Sequence, residues 1–153
     1  LTPEEFHEKA KPYYEGVINK KEIDTKKVSR ILQVRTEILS EIPGKIDFID
    51  NLPDYDINMY VHKKMKTTLE NSKESLKAAY ELLKGLDDWN EQSIHDSLME
   101  LVVKLGIKNG QMLWPIRTAL TGKDVTPGGA IEIADILGKE ECLIRIQKGI
   151  DKL

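Results

Sequence analysis

The chain has 153 residues, of which 40% are hydrophobic, so it can bury a core as one domain or as two small subdomains. Its formal net charge of −3 excludes a protein that coats nucleic acid through overall positive charge, so any RNA binding must use a local patch. The single cysteine, Cys142, excludes an internal disulfide, and no apolar run is long enough to span a bilayer. We expect a cytoplasmic monomer. Because the chain begins at Leu1 rather than at a methionine, we also expect it to be part of a longer protein.

The first two predicted helices begin at residues that can cap them. Thr2 precedes Pro3 and stands three residues before Glu5, which is the pattern of a capping box. Asp24 is the expected cap of the second helix. The apolar stripe of this second helix is predicted to comprise Val28, Ile31, Leu32, Ile38, Leu39 and Ile42.

Arg35 falls inside that predicted stripe, at a position where a leucine is expected. A charge on the buried side of a helix needs a partner. Two interpretations stay open at this point. The stem of Arg35 could cover the core while its head reaches a carboxylate such as Glu41, or the guanidinium could serve a ligand.

The segment after Asp56 is expected to form another helix. Its apolar side would contain Ile57, Met59, Tyr60, Val61 and Met65. The same segment carries a basic cluster with no acidic residue between its members: His62, Lys63, Lys64 and Lys66. We interpret this cluster as a solvated helix face rather than as a functional surface.

Caps and glycines also divide the second half of the chain into helices. A long amphipathic helix from Leu69 is closed by Gly85, and Asn90 caps the next one, which Gly106 closes. A final amphipathic helix follows Gly138. Since no segment shows a sustained alternating pattern, the sequence predicts an all-α fold of two packed helical bundles.

The stretch from Gly106 to Gly138 contains the most distinctive pattern of the chain. A short helix is predicted to start near Met112 or Leu113, because this start places Pro115 in the first turn, where no hydrogen-bond donor is lost. Arg117 would then lie exposed beside the buried stripe. Thr126 is expected to cap the following helix, with a proline at the first helical position.

Basic residues are segregated from acidic ones in this part of the chain. Between residues 101 and 123 there is no aspartate or glutamate, while four basic residues are present: Lys104, Lys108, Arg117 and Lys123. In an acidic chain, such segregation indicates a surface for an anionic partner.

The motif L-W-P-I-R-T-A-L-T-G, followed by T-P-G and then by I-L-G-K-E, resembles the C-terminal anticodon-binding region of bacterial-type glutamyl-tRNA synthetases. The order, spacing and residue types agree over some thirty positions. The resemblance implies an anticodon-binding α-helix cage that binds the tRNA for glutamate. It further implies that residues 1–68 link to the catalytic domain of a glutamate–tRNA ligase, that residues 69–153 form the anticodon-binding subdomain, and that ATP and magnesium belong to the catalytic domain.

The resemblance also implies the residues that bind RNA. The arginine of the P-x-R-x-A-L-T-G motif, the threonine before Pro-Gly and the residue after it line the anticodon pocket in such synthetases, and here they are Arg117, Thr126 and Gly129. Arg35 is similar to an arginine that reads the third anticodon base. Lys104, Lys108 and Lys123 are the expected phosphate contacts, because lysine neutralises phosphate without reading sequence.

No catalytic or metal site is predicted within the chain. The run K-M-K-T-T at residues 64–68 echoes the K-M-S-K-S signature of class I synthetases, but threonine replaces its second lysine and no H-x-G-H motif is present. The three histidines are His7, His62 and His95, which are too far apart in sequence to predict a zinc site. Two competing functions remain open: a protein-interaction helical module, and the equivalent domain of a class I lysyl-tRNA synthetase.

We predict that the purified chain does not catalyse glutamate-dependent exchange of pyrophosphate into ATP, because its sequence lacks the adenylate-forming motifs. The exchange of labelled pyrophosphate measures this, with a full-length glutamate–tRNA ligase as the positive control. Exchange above the blank would contradict the prediction.

Overall fold

The computed structural model describes residues 1–153 and contains eight α-helices, two short 3₁₀ turns and no β-strand, which confirms the all-α prediction. The α-helices are α1 (Pro3–Tyr14), α2 (Thr25–Gln33), α3 (Ile42–Ile46), α4 (Leu69–Lys84), α5 (Glu91–Leu105), α6 (Asn109–Thr121), α7 (Ala130–Leu137) and α8 (Lys139–Lys152). The 3₁₀ turns are Leu39–Glu41 and Ile57–Tyr60.

The capping side chains expected from the sequence begin three of these helices. The Thr2 hydroxyl accepts from the Glu5 amide at 3.1 Å, and Asn90 Oδ1 accepts from the Ser93 amide at 2.9 Å. Asp24 caps α2 by accepting from the amide of Lys26 at 3.0 Å. Each of these bonds satisfies an amide that the first turn of a helix leaves without a partner.

Gly122 ends α6 for two physical reasons. Its φ of 62° lies in the left-handed region, which a side chain disfavours. A Cβ at this position would also lie 2.9 Å from Tyr55 Cδ1 and 3.0 Å from the carbonyl oxygen of Pro53. Glycine therefore lets α6 stop and lets the loop that carries Tyr55 pack against its end.

The prediction that the stripe of α2 continues to Ile42 is wrong. The helix ends at Gln33, and residues 34–38 form an exposed connection before the 3₁₀ turn. A proline near the start of α3 and the bond from Lys45 Nζ to the Arg35 carbonyl, at 2.5 Å, fold the chain back. Arg35 is consequently exposed rather than set in a buried stripe.

The predicted helix after Asp56 is also wrong, since only one 3₁₀ turn forms before the chain makes a tight turn over residues 62–67. The buried Thr67 hydroxyl holds this turn by donating to the Tyr60 carbonyl at 2.6 Å and accepting from the His62 amide at 2.8 Å. Lys66 has a φ of 59°. In this turn, hydrogen bonds between side chains and backbone groups replace the backbone hydrogen bonds that a helix would form.

The helices form two packed groups, α1–α3 and α4–α8, as predicted. One continuous core of 31 buried hydrophobic residues runs through both groups. Within the second group, Gly149 lets α8 lie close to its neighbours, because a Cβ there would be 2.5 Å from Tyr60 Oη and 3.1 Å from Ala119 Cβ. The division at residue 68 stays a prediction. None of the helices combines the length and apolar character that a membrane span requires.

Arg145 of α8 is 1% exposed, although it carries a full charge. Its Nη1 donates to the carbonyls of Phe48 at 2.8 Å and Leu120 at 2.6 Å, and its Nη2 donates to the Ile49 carbonyl at 3.0 Å. Its Nε donates to Glu141 Oε2 at 2.7 Å, which completes an ion pair. A buried charge is tolerated when it is paired and hydrogen-bonded, and the four bonds of Arg145 join the two groups of helices.

Cys142 lies beside this network and is fully buried. Its thiol contacts the Ala134 carbonyl at 3.3 Å. Burial raises the pKa of the thiol well above its ordinary value. Cys142 is therefore a shielded core residue rather than a reactive thiol.

We predict that Glu141→Gln lowers the free energy of unfolding by about 1–2 kcal/mol at pH 7, because a charged partner of Arg145 is lost. Partial burial favours the neutral acid, but Arg145 and, to a smaller extent, Lys20 at 3.6 Å outweigh it and lower the pKa of Glu141. A carboxylate with a lowered folded-state pKa stabilises the fold above the ordinary pKa, near 4.3, and loses this effect as pH falls through the folded value.

The difference between wild type and Glu141→Gln should therefore be constant from pH 7 to about 5 and shrink below pH 4. Urea unfolding at each pH measures it. Glu140→Gln is the matched control, because Glu140 is exposed in the same first turn of α8 and makes no salt bridge. A difference that persists undiminished at pH 3 would contradict the ion-pair explanation.

Candidate nucleic-acid interface

Arg117 is carried by α6, and the predicted start of this helix is wrong. The helix begins at Asn109 rather than near Met112, so Pro115 lies in its interior. Proline removes the amide that would bond to the carbonyl four residues earlier, which belongs to Gln111. The Ser75 hydroxyl of α4 donates to that carbonyl at 3.2 Å and replaces the missing bond. Tertiary packing therefore extends the helix through a proline.

The Arg117 guanidinium is held from three sides. Its Nη1 donates to the Thr126 hydroxyl at 2.8 Å, and its Nη2 donates to the Asp124 carbonyl at 2.6 Å. Its Cζ lies 4.5 Å from the centroid of the Trp114 ring, which is a cation–π contact. The predicted unpaired and exposed arginine is thus half-buried and fixed, but no carboxylate forms a salt bridge with it.

Thr126 does not cap a helix, contrary to prediction. The next helix, α7, begins at Ala130, and Gly129 is the residue before it. The Thr126 hydroxyl instead donates to the Gly128 carbonyl at 2.6 Å while it accepts from Arg117. Because Thr126 is 5% exposed and both hydrogen-bonding roles are occupied, its geometry fits a residue that positions Arg117.

The structure brings Arg35 and Arg117 together, although they are far apart in the sequence. Partial burial lowers the pKa of Arg117, and the positive charge of Arg35 lowers it further, while Asp124 opposes both effects. Arg117 keeps its charge at neutral pH. Arg35 makes no salt bridge and its side chain has no hydrogen-bond partner within the chain. Arg35 and Arg117 therefore lie close enough for their charges to interact, and neither forms a salt bridge.

Packing between the two groups of helices brings these two arginines close together. Lys27 of α2 pairs with Asp135 of α7 at 3.0 Å. A Cβ at Gly128 would lie 3.1 Å from Ile31 Cγ2, so the loop before α7 approaches α2 closely. This contact carries the segment after α2 toward Arg117.

Sequence reasoning did not identify the apolar residues of the same loops. Val34 and Ile38 lie within three residues of Arg35 and are 86% and 56% exposed. Val125 directly precedes Thr126 and is 77% exposed. The sequence pattern places Ile38 in the buried stripe of α2, and this prediction is wrong. The contact of Trp114 with Arg117 was also missed, and their i, i+3 spacing on one helix was the available signal.

The predicted phosphate contacts do not form one surface. Lys104 and Lys108 are exposed and make no salt bridge, but nine residues of helix, about 13 Å, separate Lys108 from Arg117. Lys123 donates to the Gly44 carbonyl at 2.7 Å and pairs with Asp47, so a carboxylate offsets its charge. The free basic charge is therefore divided between the two ends of α6.

Gly129 is exposed and borders a cavity of about 710 Å³ between α5 and α7. Its amide donates to Glu132 Oε1 at 3.0 Å, so this backbone donor is already occupied. Glu91 and Glu132 line the same cavity and make it acidic. No group of three or more histidine, cysteine, aspartate or glutamate side chains is arranged to hold a metal ion.

Comparison with known families places this geometry in context. The model of a family described as the anticodon binding domain matches residues 5–150. The chain belongs to the anticodon-binding domain family. It is 59% identical over 150 residues to a glutamate–tRNA ligase of Clostridium tetani, covering 98% of this chain and 30% of that protein. A glutamate–tRNA ligase of Clostridium acetobutylicum is 54% identical and covers all of this chain, which spans 32% of that relative.

Solved structures share the fold of this anticodon-binding domain. A glutamate tRNA ligase from Elizabethkingia meningosepticum superposes on the whole chain with a TM-score of 0.78 at 22% sequence identity, over 30% of its own length. A glutamate–tRNA synthetase from Elizabethkingia anophelis gives 0.69 at 17% identity. The chain thus spans about a third of the length of the relatives that it matches.

We predict that Ser75→Ala lowers the free energy of unfolding by about 1–3 kcal/mol, because it leaves the Gln111 carbonyl without a partner. In a Pro115→Ala background the same change should cost close to nothing, since the restored amide satisfies that carbonyl. A double-mutant cycle by urea unfolding measures the coupling. Ser72→Ala is the matched control, because the Ser72 hydroxyl is buried on the same helix without a partner. Equal costs in both backgrounds would contradict the account.

Proposed function

We propose that the chain is the anticodon-binding domain of a glutamate–tRNA ligase and that it recognises the anticodon of the tRNA for glutamate. The observation that carries the proposal is the pair of Arg117 and Arg35, two guanidinium groups without a salt bridge whose charges interact, of which the first is held between Trp114 and Thr126. The relatives that the chain matches at 54–59% identity are glutamate–tRNA ligases, which favours this tRNA over the lysine tRNA.

Guanidinium groups suit this task because unpaired anticodon bases expose both their edges and their faces. An arginine can donate two hydrogen bonds to a base edge or stack its plane on a base. Arg117 has little conformational freedom to lose, since Thr126 and the Asp124 carbonyl already orient it. The Arg35 side chain, by comparison, has no hydrogen bond or salt bridge that orients it.

The other predicted residues take supporting roles in this proposal. Thr126 orients Arg117 rather than contacting a base directly, because its hydroxyl is buried and occupied. Gly129 leaves open space, since a Cβ there would meet only Glu132 Oε1, at 3.7 Å, and a base could approach its backbone. Lys104 and Lys108 are free to contact phosphates, whereas Lys123 would first have to leave Asp47.

Ligation itself belongs to the part of the relatives that this chain does not span. We propose that the longer protein joins glutamate to tRNA with ATP and magnesium in a separate catalytic domain, with which residues 1–68 make the connection. The cytoplasmic location and the monomeric state stay predictions. A protein-interaction module is the competing class, and salt dependence distinguishes it, because phosphate contacts weaken steeply with added salt.

We predict that Arg35→Ala weakens binding of a glutamate tRNA transcript by about 1–3 kcal/mol and relaxes discrimination at one anticodon position, with the melting temperature unchanged. The exposed Arg35 side chain makes no hydrogen bond or salt bridge in the chain, so its removal should change stability by less than about 0.5 kcal/mol. Arg117→Ala should lower both the affinity and the melting temperature, because the loop from Asp124 to Thr126 loses its anchor.

Binding titrations with transcripts that differ in each anticodon base measure the first effect, and thermal unfolding measures the second. Arg30→Ala is the matched control, since Arg30 is an exposed arginine on α2 that makes no salt bridge, and it should change neither quantity. Full affinity and full discrimination in both Arg35→Ala and Arg117→Ala would refute the anticodon assignment.

A further inference from the structure

The tight turn over residues 62–67, named here the lysine turn, is a rigid structure. Backbone bonding between His62 and Thr67 closes it, and the buried Thr67 hydroxyl bonds to both its entry and the Tyr60 carbonyl. His62 Nδ1 accepts from the Met65 amide at 3.2 Å, and Asn71 Nδ2 donates to the Lys66 carbonyl at 3.0 Å. Its backbone is therefore ordered without any ligand.

This ordered turn presents three exposed lysines, Lys63, Lys64 and Lys66, none of which makes a salt bridge. Met65 anchors the turn to the start of α6, because a Cβ at Gly110 would lie 2.5 Å from Met65 Sδ. Lys108, which is also exposed and unpaired, stands two residues before that glycine. The turn and the start of α6 that it contacts therefore carry four lysines without a salt bridge, in a chain whose net charge is −3.

The lysine turn and Arg117 lie against the same indole ring. The His62 ring is 4.3 Å from the Trp114 ring, centroid to centroid, and Arg117 Cζ is 4.5 Å from the same ring. The Trp114 Nε1 donates to the Met59 carbonyl at 3.0 Å, which fixes the indole between the two. The turn that carries the lysines, through His62, and the arginine proposed to read bases therefore contact the same indole ring.

We propose that the lysine turn, together with Lys108, binds the phosphate backbone of the RNA strand whose unpaired bases reach Arg117. The inference rests on the proposed anticodon recognition and adds a positioning surface to it. Lysine acts as a point charge that neutralises phosphates without reading sequence, whereas protein–protein interfaces are depleted in lysine. A rigid, uncompensated lysine cluster beside a base-reading arginine therefore fits RNA better than an acidic protein.

The test compares two triple variants of the 153-residue chain that remove the same charge. The first is Lys63→Gln, Lys64→Gln and Lys66→Gln. The control is Lys9→Gln, Lys84→Gln and Lys148→Gln, which are exposed lysines on other helices without salt bridges. Affinities for a glutamate tRNA transcript and for the same transcript with a replaced anticodon are measured from about 0.05 to 0.3 M salt, and circular dichroism verifies that each variant is helical.

The lysine-turn variant should bind both transcripts about tenfold to a hundredfold more weakly at 0.1 M salt, with the slope of log affinity against log salt shallower by about 2. Its ratio of affinities for the two transcripts should equal that of wild type. The control variant should change the slope by less than half as much.

Each failure has a distinct signature. If wild type discriminates between the transcripts but the lysine-turn variant keeps its affinity and slope, the lysine turn is not a phosphate site and the anticodon assignment stands. If wild type binds both transcripts equally and the lysine-turn variant binds both of them more weakly, the phosphate site is supported and the anticodon assignment fails. If both triple variants lose affinity and slope equally, the effect is one of overall charge and the inference is overturned.

Discussion

The Arg145 guanidinium has been removed from water, and backbone carbonyls from both groups of helices replace its hydration. Phe48 and Ile49 lie beyond α3, while Leu120 belongs to the last turn of α6. These bonds fix the end of α6 relative to the first group of helices. Arg117 stands three residues before Leu120, so the position of the candidate site is set by this contact, which lies entirely outside it.

The candidate site differs from a simple basic surface because its main arginine is restrained before any RNA arrives. Thr126, the Asp124 carbonyl and Trp114 occupy three sides of Arg117, yet none of them supplies a full negative charge. The contacts that orient Arg117 are thus made without a salt bridge. Lys123 differs from Arg117 in this respect. Its pairing with Asp47 holds a loop in place, but the carboxylate offsets the positive charge of the lysine.

Local signals were sufficient for most of the fold and insufficient for the site. Caps such as Thr2 and Asn90 and the stop at Gly122 depend on residues within one turn, so the sequence predicts them directly. The start of α6 depends instead on Ser75, a hydroxyl from another helix that compensates for Pro115. The surroundings of Arg35 and Thr126 likewise depend on packing between α2 and the loop before α7, which no local pattern encodes.

The buried thiol of Cys142 has a consequence for the redox chemistry of the chain. Oxidants and electrophiles react with an accessible thiolate, and this sulfur is both shielded by the core and held in its protonated form. The folded chain therefore resists sulfenylation, glutathionylation and covalent dimerisation through sulfur. A cysteine introduced on the exposed segment after α2 would be the single reactive thiol, so a fluorophore could be attached there without replacing the native residue.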